Sequence, residues 1–283
     1  RWFGIGLFPK LEGFFPFAFA YLFPGLLAKS LLYYLKNHKS VDCIHAHGLT
    51  AAAVARILNS IHKKRIVLST HAIYSFAKRP MLNYFVGKIL DGFDYIMGVS
   101  EVSKGEIIAM GINEKKVGVH KNWVDTNIFS PKKRNNIELH DGKNVLFVGR
   151  FLEHKGVGML AEAAKDLPDI NFHFVGTGPL ENSIQKCADE QGNVYFHGIL
   201  RQDVPEEFEE LLELYSAADA FVSPYLYDEG FSATLVEAVC CGTPVIVPER
   251  GSPPTFLDTS VATFMPAEID TEIVRKFLEQ LEE

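Results

Sequence analysis

The sequence has few cysteines, no excess of positive charge and no apolar run long enough to cross a bilayer. Its four cysteines, Cys43, Cys187, Cys240 and Cys241, lack the spacing of a zinc site or a disulfide framework, which favours a reducing compartment. No Asp-x-Asp motif and no cluster of His, Asp and Glu is present, so no metal site is predicted. A net charge of −7 over 283 residues argues against general nucleic-acid binding.

The most apolar segment, residues 13–28, carries no charge and contains Pro16 and Pro24. It is shorter than the roughly 20 residues that span a bilayer. We favour a helical hairpin packed on its domain over an apolar surface that touches a membrane. Because Lys36, Lys39 and other basic residues follow, a peripheral membrane contact through residues 13–39 stays open. The predicted location is cytoplasmic, at the inner membrane face if that contact forms.

Strand and helix patterns alternate along the chain in two blocks, separated by a polar stretch. The predicted strands are 42–46, 65–70, 95–99 and 117–121, then 144–148, 171–175, 194–197, 220–222 and 245–247. The predicted helices are 50–60, 81–91 and 101–110, then 157–165, 180–190, 204–217 and 233–241. The pattern indicates an α/β protein with two doubly wound, Rossmann-like domains facing across a cleft. We place the domains at residues 1–130 and 144–283, with a linker at 131–143.

In the second block, charged and glycine-rich loops follow three strands. Arg150 and Lys155 lie between the strand 144–148 and the next helix, and Gly176-Thr177-Gly178-Pro179 follows the strand 171–175. The loop that carries Glu229 follows the strand 220–222. Because the carboxyl ends of parallel strands meet at one edge, these loops should converge there. Two cations beside glycine turns and a helix N-terminus suit a diphosphate.

Two glutamates flank the start of the helix 233–241. Glu229 precedes the predicted N-cap, Ser232, and Glu237 lies inside the helix. Free amides are expected at Gly230, Phe231 and Ser232, which would form an anion site. The helix is almost entirely apolar, so Glu237 is either paired structurally or poised for a ligand. Backbone amides that bind phosphate, next to carboxylates that bind hydroxyl groups, are what a sugar-nucleotide site requires.

Taken in order, these motifs resemble the signature of glycosyltransferase family 4. The matching segments are Val148-Gly149-Arg150, Lys155-Gly156, Gly176-Thr177-Gly178-Pro179, Glu229-Gly230-Phe231 through Glu237-Ala238, and Gly242-Thr243-Pro244-Val245. Asn122, Val124, Asp125 and Phe129 look like the segment that joins the two domains of that family. The resemblance covers roughly residues 41–258. It implies the GT-B fold and transfer with retention of anomeric configuration.

The resemblance also implies roles for individual residues. Arg150 and Lys155 would bind the donor diphosphate, Glu229 the transferred sugar and Glu237 the ribose hydroxyls. A histidine at the end of a first-domain strand would face the donor sugar. His71 is the best match and would donate a hydrogen bond there. Its rivals, at a neighbouring strand end, are His45 and His47.

The chain departs from the family pattern in several places. Ser232 stands where a glycine is usual, and residues 251–255 lack a glutamate that often follows the corresponding turn. No strand with a glycine-rich loop is recognisable before Leu31, and a last helix that returns to the first domain is not recognisable at the other end. We therefore expect this sequence to be a piece of a longer protein.

The sequence thus predicts a retaining, hexosyltransferase-type glycosyltransferase without a cofactor. It would move sugar from a UDP- or GDP-linked donor to a glycan or lipid-linked acceptor, and the resemblance implies same-face attack rather than a covalent Glu229 intermediate. A sugar-nucleotide epimerase or hydrolase of the same fold, and a non-catalytic sugar-nucleotide-binding adaptor, are the alternatives. A dehydrogenase is disfavoured, because Gly176-Thr177-Gly178 is followed by Glu181 where that motif needs a glycine.

Overall fold

The computed structural model describes residues 15–73, 79–120, 122–131 and 139–281, with side chains from residue 23 onward. The chain forms two compact units, residues 1–121 and 122–283. This division falls before the predicted linker at 131–143, of which residues 132–138 lie outside the described residues. Residues just after the division belong to the second unit, since the Phe129 ring packs edge-on against Phe208 and Tyr215 at centroid distances of 5.8 and 6.3 Å.

The first unit contains a four-stranded parallel sheet whose strands lie side by side in chain order. The strands are β1 (Cys43–His47), β2 (Arg65–Ser69), β3 (Tyr95–Gly98) and β4 (Val117–Val119). The helices are α1 (Phe15–Asn37), α2 (Gly48–Ile61), α3 (Pro80–Asp91) and α4 (Glu101–Ala109). Ile66, Leu68 and Ile96 are fully buried. Such burial is expected of parallel strands covered on both faces.

The first helix, α1, is continuous through Pro24, so the hairpin predicted for residues 13–28 is wrong in the described part of that segment. A proline inside a helix costs about 3 kcal/mol. Packing against α2 offsets this cost. One stripe of α1, spaced by three or four residues, packs with Val54 and Leu58 and consists of Phe23, Leu27, Leu31 and Tyr34.

Part of the α1 surface stays uncovered within the first unit. Leu32 and Tyr33 are 72% and 67% exposed, and Leu35, Lys36 and Lys39 are exposed beside them. In the ranges described above, no helix combines the length and the apolar composition that crossing a bilayer requires.

The second unit contains a six-stranded parallel sheet. Its strands are β5 (Lys143–Val148), β6 (Ile170–Val175), β7 (Val194–Gly198), β8 (Ala220–Val222), β9 (Val245–Pro248) and β10 (Ala262–Met265). Its helices are α5 (Val157–Ala163), α6 (Glu181–Glu190), α7 (Pro205–Ala217), α8 (Ala233–Cys240) and α9 (Thr271–Glu279). The order across the sheet is β10-β9-β8-β5-β6-β7, the doubly wound order of dinucleotide-binding folds. The predicted α/β class with two parallel sheets is confirmed.

The second sheet is covered on both faces. Along β5, Val145 and Phe147 face one apolar cluster, while Leu146 and Val148 face another. This alternation follows from the two-residue period of a strand. All of β6 is buried, including its two polar residues, Asn171 and His173. The last strand and helix, β10 and α9, were not predicted.

A buried polar cluster lies beneath α7 in the second unit. His173 Nδ1 lies 3.1 Å from His197 Nε2, and His173 Nε2 lies 3.0 Å from Asn144 Oδ1. His197 Nδ1 in turn contacts Glu210 Oε1 at 3.3 Å. Burial, followed by the nearby His197 and His140, lowers the pKa of His173 to about 3. His173 is therefore neutral in the folded protein at ordinary pH.

Candidate active site

The central feature of the second unit is the switch point between β5 and β8. These two strands are parallel neighbours, with Val145 opposite Ala220 and Leu146 opposite Phe221. From here the chain winds to opposite sides of the sheet, so the loops after β5 and β8 leave a crevice at their carboxyl ends. Ligands of doubly wound sheets bind at such a crevice.

The two loops are joined by an ion pair at this point. Lys155 Nζ lies 2.7 Å from Glu229 Oε2, and the two side chains are 20% and 10% exposed. The Tyr227 hydroxyl also donates to Glu229 Oε2, and the Gly230 amide donates to Glu229 Oε1 at 3.1 Å. The sequence predicted a free amide at Gly230. In the structure this amide is occupied, because the side chain of the preceding residue, Glu229, turns back and accepts its hydrogen bond.

The surroundings keep Glu229 ionised. Burial acts to raise the pKa of Glu229, but the Lys155 ammonium outweighs it, together with hydrogen bonds from Lys155, Tyr227 and Gly230. The resulting pKa lies below the ordinary value for a glutamate. At neutral pH the crevice thus presents a carboxylate that can accept hydrogen bonds, and a neighbouring ammonium that can donate them.

A glycine makes this approach of the two loops possible. Gly156 has a φ of +73°, and a Cβ built there would lie 1.9 Å from the carbonyl oxygen of Pro224. The loops are also tied by the Leu226 amide, which donates to the His154 carbonyl at 2.8 Å. Lys155 therefore reaches Glu229 because the adjacent residue has no side chain.

The glycine turn after β6 supports the same loop from the other side. Gly176 has a φ of +141°, and a Cβ there would lie 1.9 Å from the Gly149 carbonyl oxygen. A Cβ at Gly178 would lie 2.6 Å from the Phe151 carbonyl oxygen. The Phe151 amide donates to Thr177 O at 2.8 Å. Gly178 thus packs closely against the loop after β5, and its carbonyl accepts a hydrogen bond from the Glu181 amide at 3.0 Å.

Arg150 is exposed in the loop after β5. Its charge acts on the crevice: burial, then the charges of Lys155 and Arg150, lower the pKa of His154. Arg150 also works against the rise in the pKa of Tyr227. The positive charge of Arg150 thus adds to that of Lys155 in this part of the second unit.

The helix α8 begins at the predicted place, with Ser232 as its N-cap residue. The Ser232 side chain does not cap the helix. Its hydroxyl lies 3.2 Å from that of Thr234. The ring of Phe231 packs against Phe256 at a centroid distance of 5.6 Å.

Glu237 is paired within the protein. It is 8% exposed, and the Tyr215 hydroxyl donates to its Oε2 at 2.9 Å. The Gln202 side chain also hydrogen-bonds to it. Burial nevertheless holds the pKa of Glu237 above its usual value. The sequence left open whether Glu237 is paired within the protein or poised for a ligand. The structure shows it paired, as a buried carboxylate whose hydrogen-bonding partners, Tyr215 and Gln202, are neutral.

In the first unit, histidines gather at the carboxyl end of the sheet. His47 Nδ1 lies 2.9 Å from His71 Nε2, and their rings stack at 5.2 Å. His45 Nε2 lies 2.8 Å from the Ser69 hydroxyl. Burial and then the charges of His47 and His120 lower the pKa of His71. The predicted candidate His71 and its rival His47 are thus bonded neighbours.

Sequence reasoning missed Tyr227 and Tyr215, which contact the two glutamates of the second unit, and His120, which lies near His71 in the first unit. His120 follows β4, so its place at a strand end was a usable signal. Tyr227 precedes Glu229 by two residues, a spacing that does not by itself predict contact. Tyr215 is distant in sequence from Glu237. Throughout residues 15–73, 79–120, 122–131 and 139–281, no group of three or more His, Cys, Asp or Glu is arranged to hold a metal ion.

Two solved structures show where this architecture occurs. The Anabaena protein HepE, crystallised with UDP and glucose, superposes with a TM-score of 0.74 at 20% identity, covering 92% of this chain and 72% of HepE. Sucrose-phosphate synthase from Thermosynechococcus elongatus gives a TM-score of 0.71 at 21% identity, covering 92% of this chain and 68% of the synthase. At these identities the likeness concerns the fold. The class is therefore an α/β protein of the GT-B fold.

Family models make the assignment narrower. The model described as "Glycosyl transferases group 1" matches residues 142–283, and "Glycosyltransferase Family 4" matches residues 7–128. The chain belongs to the group 1 family of glycosyltransferases, and the resemblance drawn from its motifs is confirmed.

Curated relatives are similar over part of their length. One component of human phosphatidylinositol N-acetylglucosaminyltransferase is 26% identical over 238 residues, which cover 80% of this chain and 47% of that protein. The GDP-mannose-dependent alpha-(1-6)-phosphatidylinositol monomannoside mannosyltransferase of Mycolicibacterium smegmatis is 28% identical, over 75% of this chain and 61% of that enzyme. The chain thus spans about half the length of the relatives it matches.

Proposed function

We propose that this chain carries the donor site of a retaining glycosyltransferase, which moves a sugar from a nucleoside-diphosphate sugar to a glycan or lipid-linked acceptor. The observation that carries the proposal is the pair of Lys155 and Glu229 across the switch point, at 2.7 Å. It places a cation and an ionised carboxylate side by side in a crevice where nucleotides bind in such sheets. Family membership supports the same activity.

The proposed roles follow from charge. Arg150 and Lys155 supply positive charge for the diphosphate, and the N-terminus of α8 supplies amides. Glu229 is ionised and accepts hydrogen bonds from sugar hydroxyls. Glu237, which has no cation among its described contacts, accepts hydrogen bonds from the ribose. His71 donates to the sugar from the first unit.

Same-face attack is the proposed mechanism. As the bond between the anomeric carbon and the diphosphate breaks, Arg150 and Lys155 stabilise the charge that develops on the leaving oxygen. The acceptor hydroxyl attacks from the same side and passes its proton to that phosphate oxygen. Glu229 suits a covalent nucleophile poorly, because both its carboxylate oxygens already accept hydrogen bonds, which lowers their nucleophilicity.

The donor is proposed to be UDP- or GDP-linked, since HepE was crystallised with UDP and glucose and the mycobacterial relative is named GDP-mannose-dependent. The test is release of nucleoside diphosphate from a panel of sugar nucleotides, with and without lipid and glycan acceptors. It uses this chain and the longest natural protein that contains it. Release that requires an acceptor supports transfer. Release without any acceptor product favours the hydrolase or epimerase alternative, and nucleotide binding without release favours the adaptor.

We further propose a peripheral contact of α1 with the cytoplasmic face of an anionic membrane. Leu32, Tyr33 and Leu35 are exposed beside the exposed cations Lys36 and Lys39. Apolar side chains next to lysines suit an anionic lipid surface. No disulfide joins the cysteines of the described residues, which fits a reducing compartment.

Co-sedimentation with vesicles tests this contact. Binding should be stronger to vesicles that contain phosphatidylserine than to pure phosphatidylcholine, and a Leu32→Ser/Tyr33→Ser variant should lose it. Met81→Ser, which alters an exposed apolar side chain on α3, serves as the control. Equal sedimentation of all three proteins would contradict the contact.

A further inference from the structure

The Tyr227 side chain contacts both members of the ion pair at the switch point. Its hydroxyl donates to Glu229 Oε2, the oxygen that also accepts from Lys155. Its ring lies beneath the Lys155 ammonium, with Nζ 5.0 Å from the ring centroid. Tyr227 therefore couples a cation–π contact to a charge-assisted hydrogen bond.

This double contact matters because Lys155 pairs with Glu229 before the donor binds and with the donor diphosphate afterwards, according to the proposed function. Without donor, Lys155 neutralises Glu229. Once a diphosphate arrives, it competes for the same ammonium. Glu229 is 8% exposed, and a buried carboxylate that loses its cation is costly unless other donors remain. The Tyr227 hydroxyl and the Gly230 amide also donate to Glu229, and they can stay in place when Lys155 turns to the phosphate.

We propose that Tyr227 is a positioning residue that holds the Glu229 carboxylate in place while Lys155 turns to the donor diphosphate. The ring gives Lys155 a surface on which to pivot between the two anions. This inference rests on the proposed function, because it assigns Tyr227 a part in the same donor site. Tyr227 acts through Glu229 and Lys155 and need not touch the sugar itself.

The environment suits a permanent donor. Burial, followed by the charge of Glu229 and its hydrogen bond, raises the pKa of Tyr227 well above its usual value. The hydroxyl therefore keeps its proton at any pH at which the protein works. The ring is further fixed by an edge-on contact with His154 at 5.0 Å, so the hydroxyl has a defined direction.

Kinetics of two substitutions separate the two contacts. Tyr227→Phe keeps the ring and removes the hydroxyl, so kcat should fall about tenfold while the donor KM stays within about twofold. Tyr227→Leu also removes the ring, so the donor KM should rise as well. Tyr195→Phe is the matched control: its hydroxyl donates to the Gly192 carbonyl on the surface of the same unit, and its kinetics should be unchanged. An unchanged kcat in folded Tyr227→Phe would overturn the inference.

A double mutant shows whether Tyr227 acts through Glu229. In a Glu229→Gln background, Tyr227→Phe should reduce kcat little further, because the carboxylate it positions is gone. A structural role would instead give the same further loss in both backgrounds. Fully additive losses would therefore contradict a positioning role.

A third measurement does not depend on turnover. Carbon-13 NMR of protein labelled at the glutamate carboxyl carbon, assigned with Glu229→Gln, follows the titration of Glu229. Tyr227→Phe removes a hydrogen bond that stabilises the carboxylate, so the titration midpoint should move to higher pH, whereas Tyr195→Phe should leave it in place. An unmoved midpoint in Tyr227→Phe refutes the contact. If wild type releases no nucleoside diphosphate from any donor, the proposed function fails, while this titration still decides whether Tyr227 stabilises the Glu229 carboxylate.

Discussion

His47 and His71 share a hydrogen bond between ring nitrogens, with Nδ1 of His47 2.9 Å from Nε2 of His71. In a pair of neutral imidazoles one ring must donate and the other accept. The bond therefore ties the tautomer of His71 to that of His47 and fixes which ring nitrogen of His71 remains for a ligand. His71 and His47, the two candidates for the histidine that faces the donor sugar, thus determine each other's tautomer.

This bond predicts a shift in the acid limb of activity. The pKa of His71 is lowered by burial and by the charges of His47 and His120, so His71 stays neutral until the pH falls below its ordinary titration range. His47→Ala removes one repulsive neighbour, so the pKa of His71 should rise and activity should be lost at a higher pH. His47→Asn, which keeps a polar side chain, should retain more turnover at neutral pH. A pH profile of kcat measures both effects, and an acid limb identical to that of wild type would contradict them.

Donor binding should depend on Arg150. Arg150→Ala should weaken binding of the nucleoside diphosphate by about 2 kcal/mol, the scale of a charge-assisted hydrogen bond. Calorimetry measures this loss. Lys186→Ala is the control, since Lys186 pairs with Glu190 on the exposed surface of α6. Equal affinities in the two variants would remove Arg150 from the donor site.

The two glutamates should give different kinetic signatures. Glu237→Gln should weaken nucleotide binding by about 1 kcal/mol, because a contact to the ribose is lost. That loss should disappear when the nucleotide lacks the ribose hydroxyls. Glu229→Gln should lower kcat and leave nucleotide affinity nearly unchanged, because its partner is the sugar. Exchange of these two signatures would show that the roles are reversed.

The fold should weaken in acid through His173. Its pKa is about 3 in the folded protein, below the usual 6.5, so its contribution to stability is complete above pH 6.5 and is lost as the pH falls toward 3. Over that window a single buried histidine contributes roughly 1.4 kcal/mol per pH unit to the slope. Denaturant unfolding of His173→Gln should show a shallower pH dependence than wild type or exposed His62→Gln. Parallel curves for all three would refute this.

The transferred sugar should keep its anomeric configuration. In the proposed same-face attack the acceptor approaches from the side of the leaving group, whose charge the cations Arg150 and Lys155 stabilise. Proton NMR of the first product formed by the longest natural protein gives the configuration. An inverted product would instead promote His71 to a general base.

The sequence predicted regular elements well and side-chain partners poorly. The strands and helices between Cys43 and Pro248 lie near their predicted ranges, because buried parallel strands are apolar runs that local patterns reveal. The strand β10 (Ala262–Met265) was missed because it lies at the edge of the sheet and is only partly buried, so its apolar pattern is weaker than that of the inner strands. α1 was misjudged because packing on α2 outweighs Pro24, and such packing is a tertiary effect. The partners of Glu237 escaped for the same reason.

The site shows the same limit. Strand ends predicted that the loops of Lys155 and Glu229 would meet, since parallel strands share one carboxyl edge. Their ion pair joins residues that are 74 positions apart, and the choice of partner depends on rotamers that no local pattern encodes. No local pattern predicts the contacts of Tyr227 either, whose ring lies against Lys155 and whose hydroxyl donates to Glu229.

Gly156 limits which substitutions in the loop after β5 can be used to change the donor preference. A library that varies every residue of the loop after β5 should return active members with many side chains at Leu152 or Glu153, but with one amino acid at position 156. Any larger residue would meet the Pro224 carbonyl and drive apart the two loops that carry the opposite charges. Variants with a new donor specificity must therefore keep Gly156. They must also keep the distance between the two loops, because a wider gap would separate Lys155 from Glu229.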